Sequence, residues 1–345
     1  MMTEKLKKEN MYDCKLEYIT LMQVIGCVFV IFGHSYPFKT EIPMWILKIR
    51  EFIYLFHMPL FIWCSAVLQM KTRQCERYTF SLFIKRRAKR ILLPYVVLSV
   101  IGIIPKSLFS PLLNDSLAIS PYSLARSFLV PRENIWGHFW FLPMIFLMGV
   151  IGYAIEKKAL SANCEKLVWG LTTVMLLPIS FLRFEWGAFL GINDLIKYLW
   201  IYALGSFAAL SLPEKWEDRK TLFKATASLL SALILFFLFA SNRLTAILIA
   251  VLMILTMVEF SVWLTEERKL RFDGVWRNTY AVFIVSWPCQ LTVEIILERL
   301  LGVPVYIIIP GMFISGLIGP LVIIKIILEI DKKLKRKILS PLLGM

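Results

Sequence analysis

The amino-acid sequence predicts an all-α, polytopic integral membrane bundle of about ten transmembrane helices, with both termini on the cytoplasmic side. Three observations carry this expectation. Of the 345 residues, 58% are hydrophobic and the mean hydropathy is +0.69, whereas soluble domains are about 45–50% apolar. The apolar residues form blocks of about 18–25, the length that crosses a hydrocarbon core of roughly 30 Å. Lys and Arg gather in alternate connections, as the positive-inside bias requires.

Taken in order, the predicted spans are 16–36, 52–70, 91–109, 139–155, 167–184, 195–212, 222–240, 244–264, 280–297 and 305–330. The second contains His57 and Pro59 and is expected to be bent or partly re-entrant, because proline removes a helix hydrogen bond. With the N-terminus inside, the cytoplasmic segments hold 28 of the 39 Lys and Arg. The outer connections hold few, among them Lys39, Arg126, Arg132 and Arg243. The chain therefore divides into a cytoplasmic segment 1–15, a transmembrane domain 16–330 and a basic cytoplasmic tail 331–345. The longest outer connection, 110–138, carries Pro111, Asn114, Asp115, Pro121 and Pro131 and is the expected lid or acceptor-facing element.

Composition also excludes. A net charge of +15 invites nucleic-acid binding, but the basic residues follow topology rather than forming one stripe, so no nucleic-acid partner is expected. Six cysteines are scattered without a CxxC pair, several inside apolar runs. Neither a disulfide framework nor a metal site is expected. The polar start and the long first apolar run point to an uncleaved anchor.

The chain has three histidines, His34, His57 and His138. The hydropathy blocks bring all three to one level near the outer face. An ionisable group in such a run costs several kcal/mol on roughly any scale and marks a functional site by default. Neutral histidine takes and returns protons near pH 7, which suits a general base for a hydroxyl nucleophile. Each also has a bland reading. His138 fits an interfacial residue, His57 fits a partner for a carbonyl freed by Pro59, and His34 lies in a small-residue helix end.

A basic patch, FIKRRAKRILLP from Phe83 to Pro94, leads into the third span. Arg87 and Arg90 are three apart and share a helix face. Arginine forks fit phosphate oxygens, so a nucleotide-bearing donor has a dock here. Topology signalling and contact with anionic membrane lipids are the competing roles.

Several motifs in order resemble the membrane acyltransferase-3 family: EYITLMQVIGCVFVIFGHS, FHMPLF, RRAKRILLPY, HFWFLP and FIVSWPCQ. The resemblance covers nearly the whole chain. It implies an O-acyltransferase of the bacterial inner membrane. The donor would be acyl-CoA, most commonly acetyl-CoA, and the acceptor a saccharide or lipid-linked glycan of the envelope. His34 would be the essential histidine, Arg87 and Arg90 the pair near the CoA phosphates, and Trp140 and Phe141 the lining of the helix-four entrance. The chain departs from the family where an arginine usually precedes that histidine by eleven residues, itself preceded by an aspartate. Gln23 and Thr20 stand there. Glutamine donates a hydrogen bond but offers no charged fork. A divergent subgroup, a different acyl donor and a loss of catalysis all accommodate this.

In the mechanism so implied, CoA held at the arginines extends its pantetheine arm inward and His34 deprotonates the acceptor hydroxyl. Glu294 is a candidate carboxylate to orient His34, as the third member does in catalytic triads, with His57 as a neutral alternative. His57, His138 and Trp140 are the candidates facing the acceptor. Asp194, Glu185 and Asn193 read as ordinary loop residues. A saccharide transporter and an inactive scaffold of glycan assembly are the alternatives.

Overall fold

Each of the ten apolar blocks folds into a helix. The computed structural model describes residues 17–37, 40–108, 121–212, 220–239, 242–271 and 274–345. The long helices are α1 (Glu17–His34), α2 (Met44–Lys71), α3 (Phe80–Leu108), α4 (Phe141–Ser161), α5 (Glu165–Ile179), α6 (Ile192–Ser211), α7 (Thr221–Phe239), α8 (Arg243–Val262), α9 (Thr279–Glu294) and α10 (Val305–Lys333). Helix α9 continues as a π-helical turn, Ile295–Leu300. Among the described residues no strand occurs.

Seven of these helices are long and apolar enough to cross a membrane: α1, α2, α4 with its preceding turn, α7, α8, α9 and α10. The other three differ for visible reasons. Helix α3 opens with Lys85, Arg86, Arg87, Lys89 and Arg90. Helix α5 has 15 residues, about 22 Å of rise. Helix α6 carries Asp194 and Lys197 near its start.

Helix α2 is the axis of the bundle and packs on α1, α4, α6 and α8. Phe56, Leu60, Ile62, Cys64, Ala66 and Val67 are all but inaccessible along it. It runs unbroken for 28 residues with Pro59 inside, so the expected re-entrant geometry does not occur. It also starts eight residues before the predicted span. Hydropathy locates the edge of an apolar run, but the helix continues through Lys48, Arg50 and Glu51. Helix α6 approaches α2 closely at Gly205, where a Cβ would lie 2.9 Å from the Trp63 carbonyl oxygen. Small residues at such crossings let backbones meet. Helices α5 and α7 instead present Val174, Met175, Phe223 and Phe237 outward, as lipid-facing surfaces do.

Two connections are more ordered than their sequence suggested. Residues 110–120 of the expected lid lie outside the described residues, as do residues 1–15 and Lys39. The rest of that connection forms a helix, Pro121–Leu129, and two 3-10 turns, Pro131–Glu133 and Gly137–Trp140. Asn134 ties it down, donating to Ser99 Oγ at 3.0 Å and accepting from the Trp136 amide at 3.0 Å. At the other end, part of the basic tail folds back. Asp331 accepts from the amides of Ile338, Leu339 and Ser340 at 2.8–3.0 Å, and Leu343 is buried in the main core.

Candidate active site

The end of α1 is built to receive a neighbour. Ser35 Oγ donates to the Ile31 carbonyl at 2.6 Å. Gln290 of α9 donates to that same carbonyl at 2.7 Å and to Ser35 Oγ at 2.6 Å. Tyr54 of α2 donates its hydroxyl to the Gly33 carbonyl at 2.9 Å. A Cβ at Gly33 would come within 2.9 Å of the Tyr54 ring, so glycine lets the two helices close at this point. His34, between Gly33 and Ser35, is thereby held on both sides.

The three histidines converge, as their depth in the sequence predicts. The His34 ring lies 6.3 Å from His138 and 5.4 Å from Trp287, centroid to centroid. Tyr54 bridges to the third, 5.9 Å from His34 and 5.1 Å from His57. Trp287 also stands 6.2 Å from His138. His57 and His138 are buried. His57 Nδ1 sits 2.9 Å from the Ile53 carbonyl. A carbonyl only accepts, so Nδ1 carries a proton and donates it. The carbonyl that Pro59 frees is that of Leu55, four residues back; His57 bonds a different one. Among the described residues, both nitrogens of buried His138 have no hydrogen-bond partner, a costly state for a polar group.

Arg50 joins this cluster from one turn before Tyr54. Its guanidinium lies 3.6 Å over the Tyr36 ring and 5.0 Å from that of Tyr54, and donates to the Tyr36 hydroxyl at 2.8 Å. Glu294 is buried and falls one turn beyond Gln290, on the α9 face that also carries Trp287. Trp140 packs against other partners. It stacks on Tyr198 at 6.3 Å and takes the Arg132 guanidinium 4.2 Å over its ring. Arg132 in turn makes a bidentate pair with Asp194, at 2.7 and 2.5 Å. In the same segment the Arg126 guanidinium holds the Glu133 carboxyl below its ordinary range by hydrogen bonding. Asn193 brackets the Phe184 backbone, accepting at 2.9 Å and donating at 2.8 Å; it and Asp194 lie in the first turn of α6 rather than in the loop expected for them.

The two arginines of the basic patch separate. Arg90 is exposed. Arg87 points into the bundle and donates to the Ile145 carbonyl at 2.7 Å, with Gln69 Oε1 at 3.4 Å and Ser65 Oγ at 3.5 Å. Gly149 makes room, since a Cβ there would fall on the Arg87 guanidinium. Ser65 and Gln69 lie 8 and 12 residues beyond His57 on α2, about 12–18 Å of helix. Gln23 lies eleven residues from His34 on α1, about 16 Å. Gln23 is partly buried.

Sequence reasoning missed Tyr54, Trp287, Arg50 and the Ser65–Gln69 lining. A signal for two of them was present: residues 50, 54 and 57 follow the i, i+4, i+7 spacing of one helix face. Trp287 lies inside the FIVSWPCQ motif, but its partners come from α1 and the segment before α4.

An all-helical membrane protein with a buried histidine cluster at one level and an inward-turned arginine at another is the class these observations define. The acyltransferase domain profile of the acyltransferase-3 family matches residues 16–327. The chain belongs to that family, whose members are membrane acyltransferases. No curated protein and no solved structure matches the chain.

Proposed function

We propose that this protein moves an acyl group, acetyl in the first instance, from cytoplasmic acyl-CoA to a hydroxyl of an extracytoplasmic or lipid-linked saccharide. In this reading ten helices cross the bacterial inner membrane with both termini inside. The observation that carries it is the convergence of His34, His57 and His138 around Tyr54 and Trp287, with Arg87 turned into the bundle about 12–18 Å away along α2.

Arg90 and Arg87 receive the CoA phosphates, and Gln23 contributes a neutral hydrogen bond where the family usually has a charge. The pantetheine arm extends along the bundle to bring the thioester to His34. His34 takes the proton of the acceptor hydroxyl as its oxygen bonds to the thioester carbon. The carbon–sulfur bond breaks, and the CoA thiolate leaves with the proton from His34. Glu294 orients the imidazole, His57 and His138 face the acceptor, and Trp140 shapes the cap above them.

The test is a mass-spectrometric profile of base-labile esters on envelope glycans, comparing wild type, deletion and His34→Ala strains at equal expression. The reading expects one ester present in wild type and missing from both mutants. An ester that persists in His34→Ala but not in the deletion strain would assign the protein to transport or scaffolding.

A further inference from the structure

Arg50 stands in the second turn of α2 and is half-buried. Its Nη2 donates to the Tyr36 hydroxyl at 2.8 Å, and its guanidinium lies 3.6 Å over the Tyr36 ring and 5.0 Å from that of Tyr54. Nε is buried with no hydrogen-bond partner among the described residues. Among those residues no carboxylate pairs with this side chain. Arg126 and Arg132, in the segment that leads to His138, each have one, Glu133 and Asp194. A cation drawn partly out of water without a counter-ion is costly, and aromatic faces offset only part of that cost.

The direction of this charge is set by the helix. Residues 46, 50, 53 and 57 are spaced by four, three and four and so share one face of α2. Ile46, Ile53 and His57 on that face are buried, whereas Trp45 and Ile49, on another, are 59% and 42% exposed. Arg50 therefore belongs to the side of α2 that meets its neighbours, and its aromatic partners come from the histidine cluster. Tyr36 follows His34 by two residues, and the Tyr54 ring lies 5.9 Å from that of His34. The charge stands one aromatic ring away from the imidazole, beside the reacting atoms rather than on them.

We infer that Arg50 selects an anionic acceptor: it takes a carboxylate or phosphate carried on, or next to, the sugar that presents its hydroxyl to His34. That the anion belongs to the acceptor rests on the acyl-transfer reading; that the site takes an anion does not. A guanidinium fork matches the paired oxygens of either group. The CoA phosphates are too far away in that reading. Arg87 meets α2 at Ser65, 15 residues beyond Arg50, about 22 Å of rise. A headgroup of the surrounding bilayer is disfavoured by the face that Arg50 occupies, since the exposed side of this turn is apolar.

The experiment uses the full-length protein in phosphatidylcholine nanodiscs, with glucuronic acid, glucose 1-phosphate and glucose as probes in calorimetric titration. Wild type is expected to bind at least one anionic probe about tenfold more tightly than glucose. The preference should vanish in Arg50→Gln and persist in Arg50→Lys, while CoA affinity holds in both. Equal binding of the three probes by wild type overturns the inference, and so does a preference that survives in folded Arg50→Gln. Loss of the preference when phosphatidylglycerol is added to the nanodiscs overturns it too, by giving the site to lipid headgroups. A second arm supplies radiolabelled acetyl-CoA and envelope glycans divided by anion exchange. Label is expected in the anionic fraction, with KM for that fraction raised about tenfold in Arg50→Gln and kcat little changed. Phosphatase treatment or chemical reduction of carboxyls should abolish the acceptor and so tell phosphate from carboxylate. Label in the neutral fraction overturns the acceptor assignment. No label in either fraction, with the probe preference intact, rejects the acyl-transfer reading and leaves the anion site standing.

Discussion

Gly149→Ala tests the proposed donor dock without touching a charge. An added Cβ at position 149 would coincide with the Arg87 guanidinium, and the far end of an arginine is free to swing aside. Helix propensity favours alanine over glycine by about 1 kcal/mol, so the fold itself is not expected to suffer. What moves is the guanidinium, away from the Ile145 carbonyl that it holds at 2.7 Å. A hydrogen bond from a charged donor contributes about 1.5–3 kcal/mol. If Arg87 grips a CoA phosphate from this pose, its loss weakens CoA binding about 10- to 150-fold, since each 1.4 kcal/mol is tenfold. The assay is calorimetric titration of CoA into the purified protein in nanodiscs, with Arg87→Ala alongside. Both variants are predicted to lose affinity by that amount while their melting temperatures hold. Unchanged CoA affinity in both folded variants would refute the argument and return Arg87 to a structural role.

Three further predictions follow the same logic. Gly205→Ala should destabilise the bundle by about 1–3 kcal/mol through overpacking, because its Cβ would meet Ala66 and the Trp63 backbone at 2.9 Å; thermal unfolding in detergent measures it. Asp331→Ala removes the acceptor of three amides, so carboxypeptidase should trim the chain end faster than in wild type. His138→Phe replaces an imidazole whose nitrogens have no partner among the described residues, which predicts unchanged or raised thermal stability; under the proposed function ester formation should fall, because the ring offered to the acceptor no longer hydrogen-bonds.

Much of the bundle was legible because depth in a membrane is written as hydropathy. All ten blocks are helical, and the shared level of His34, His57 and His138 became contact through Tyr54 and Trp287. Rotation about each helix axis was not legible to the same degree. Arg87 and Arg90 share a helix face by spacing, yet Arg87 turns inward at Gly149 while Arg90 stays exposed. Trp140 follows the HF motif, but its ring goes to Arg132 and Tyr198 because a cation and an aromatic face are waiting there. Asp194 reads as a loop acid and is the partner of Arg132, 62 residues away. These choices depend on which distant helices pack together, and hydropathy along one chain does not encode that. Where helices end was also misread at α2, since charged turns extend a helix beyond the apolar run.

The central claim is that His34 is the reacting base and that donor binding occurs elsewhere. Its most direct test is CoA release from acetyl-CoA by purified wild type and His34→Ala in nanodiscs supplied with envelope lipid extract, with CoA affinity measured on the same samples. A general base contributes about 10²–10⁴-fold, so turnover should fall by that factor while CoA affinity stays the same. Equal turnover in the two proteins would contradict the account.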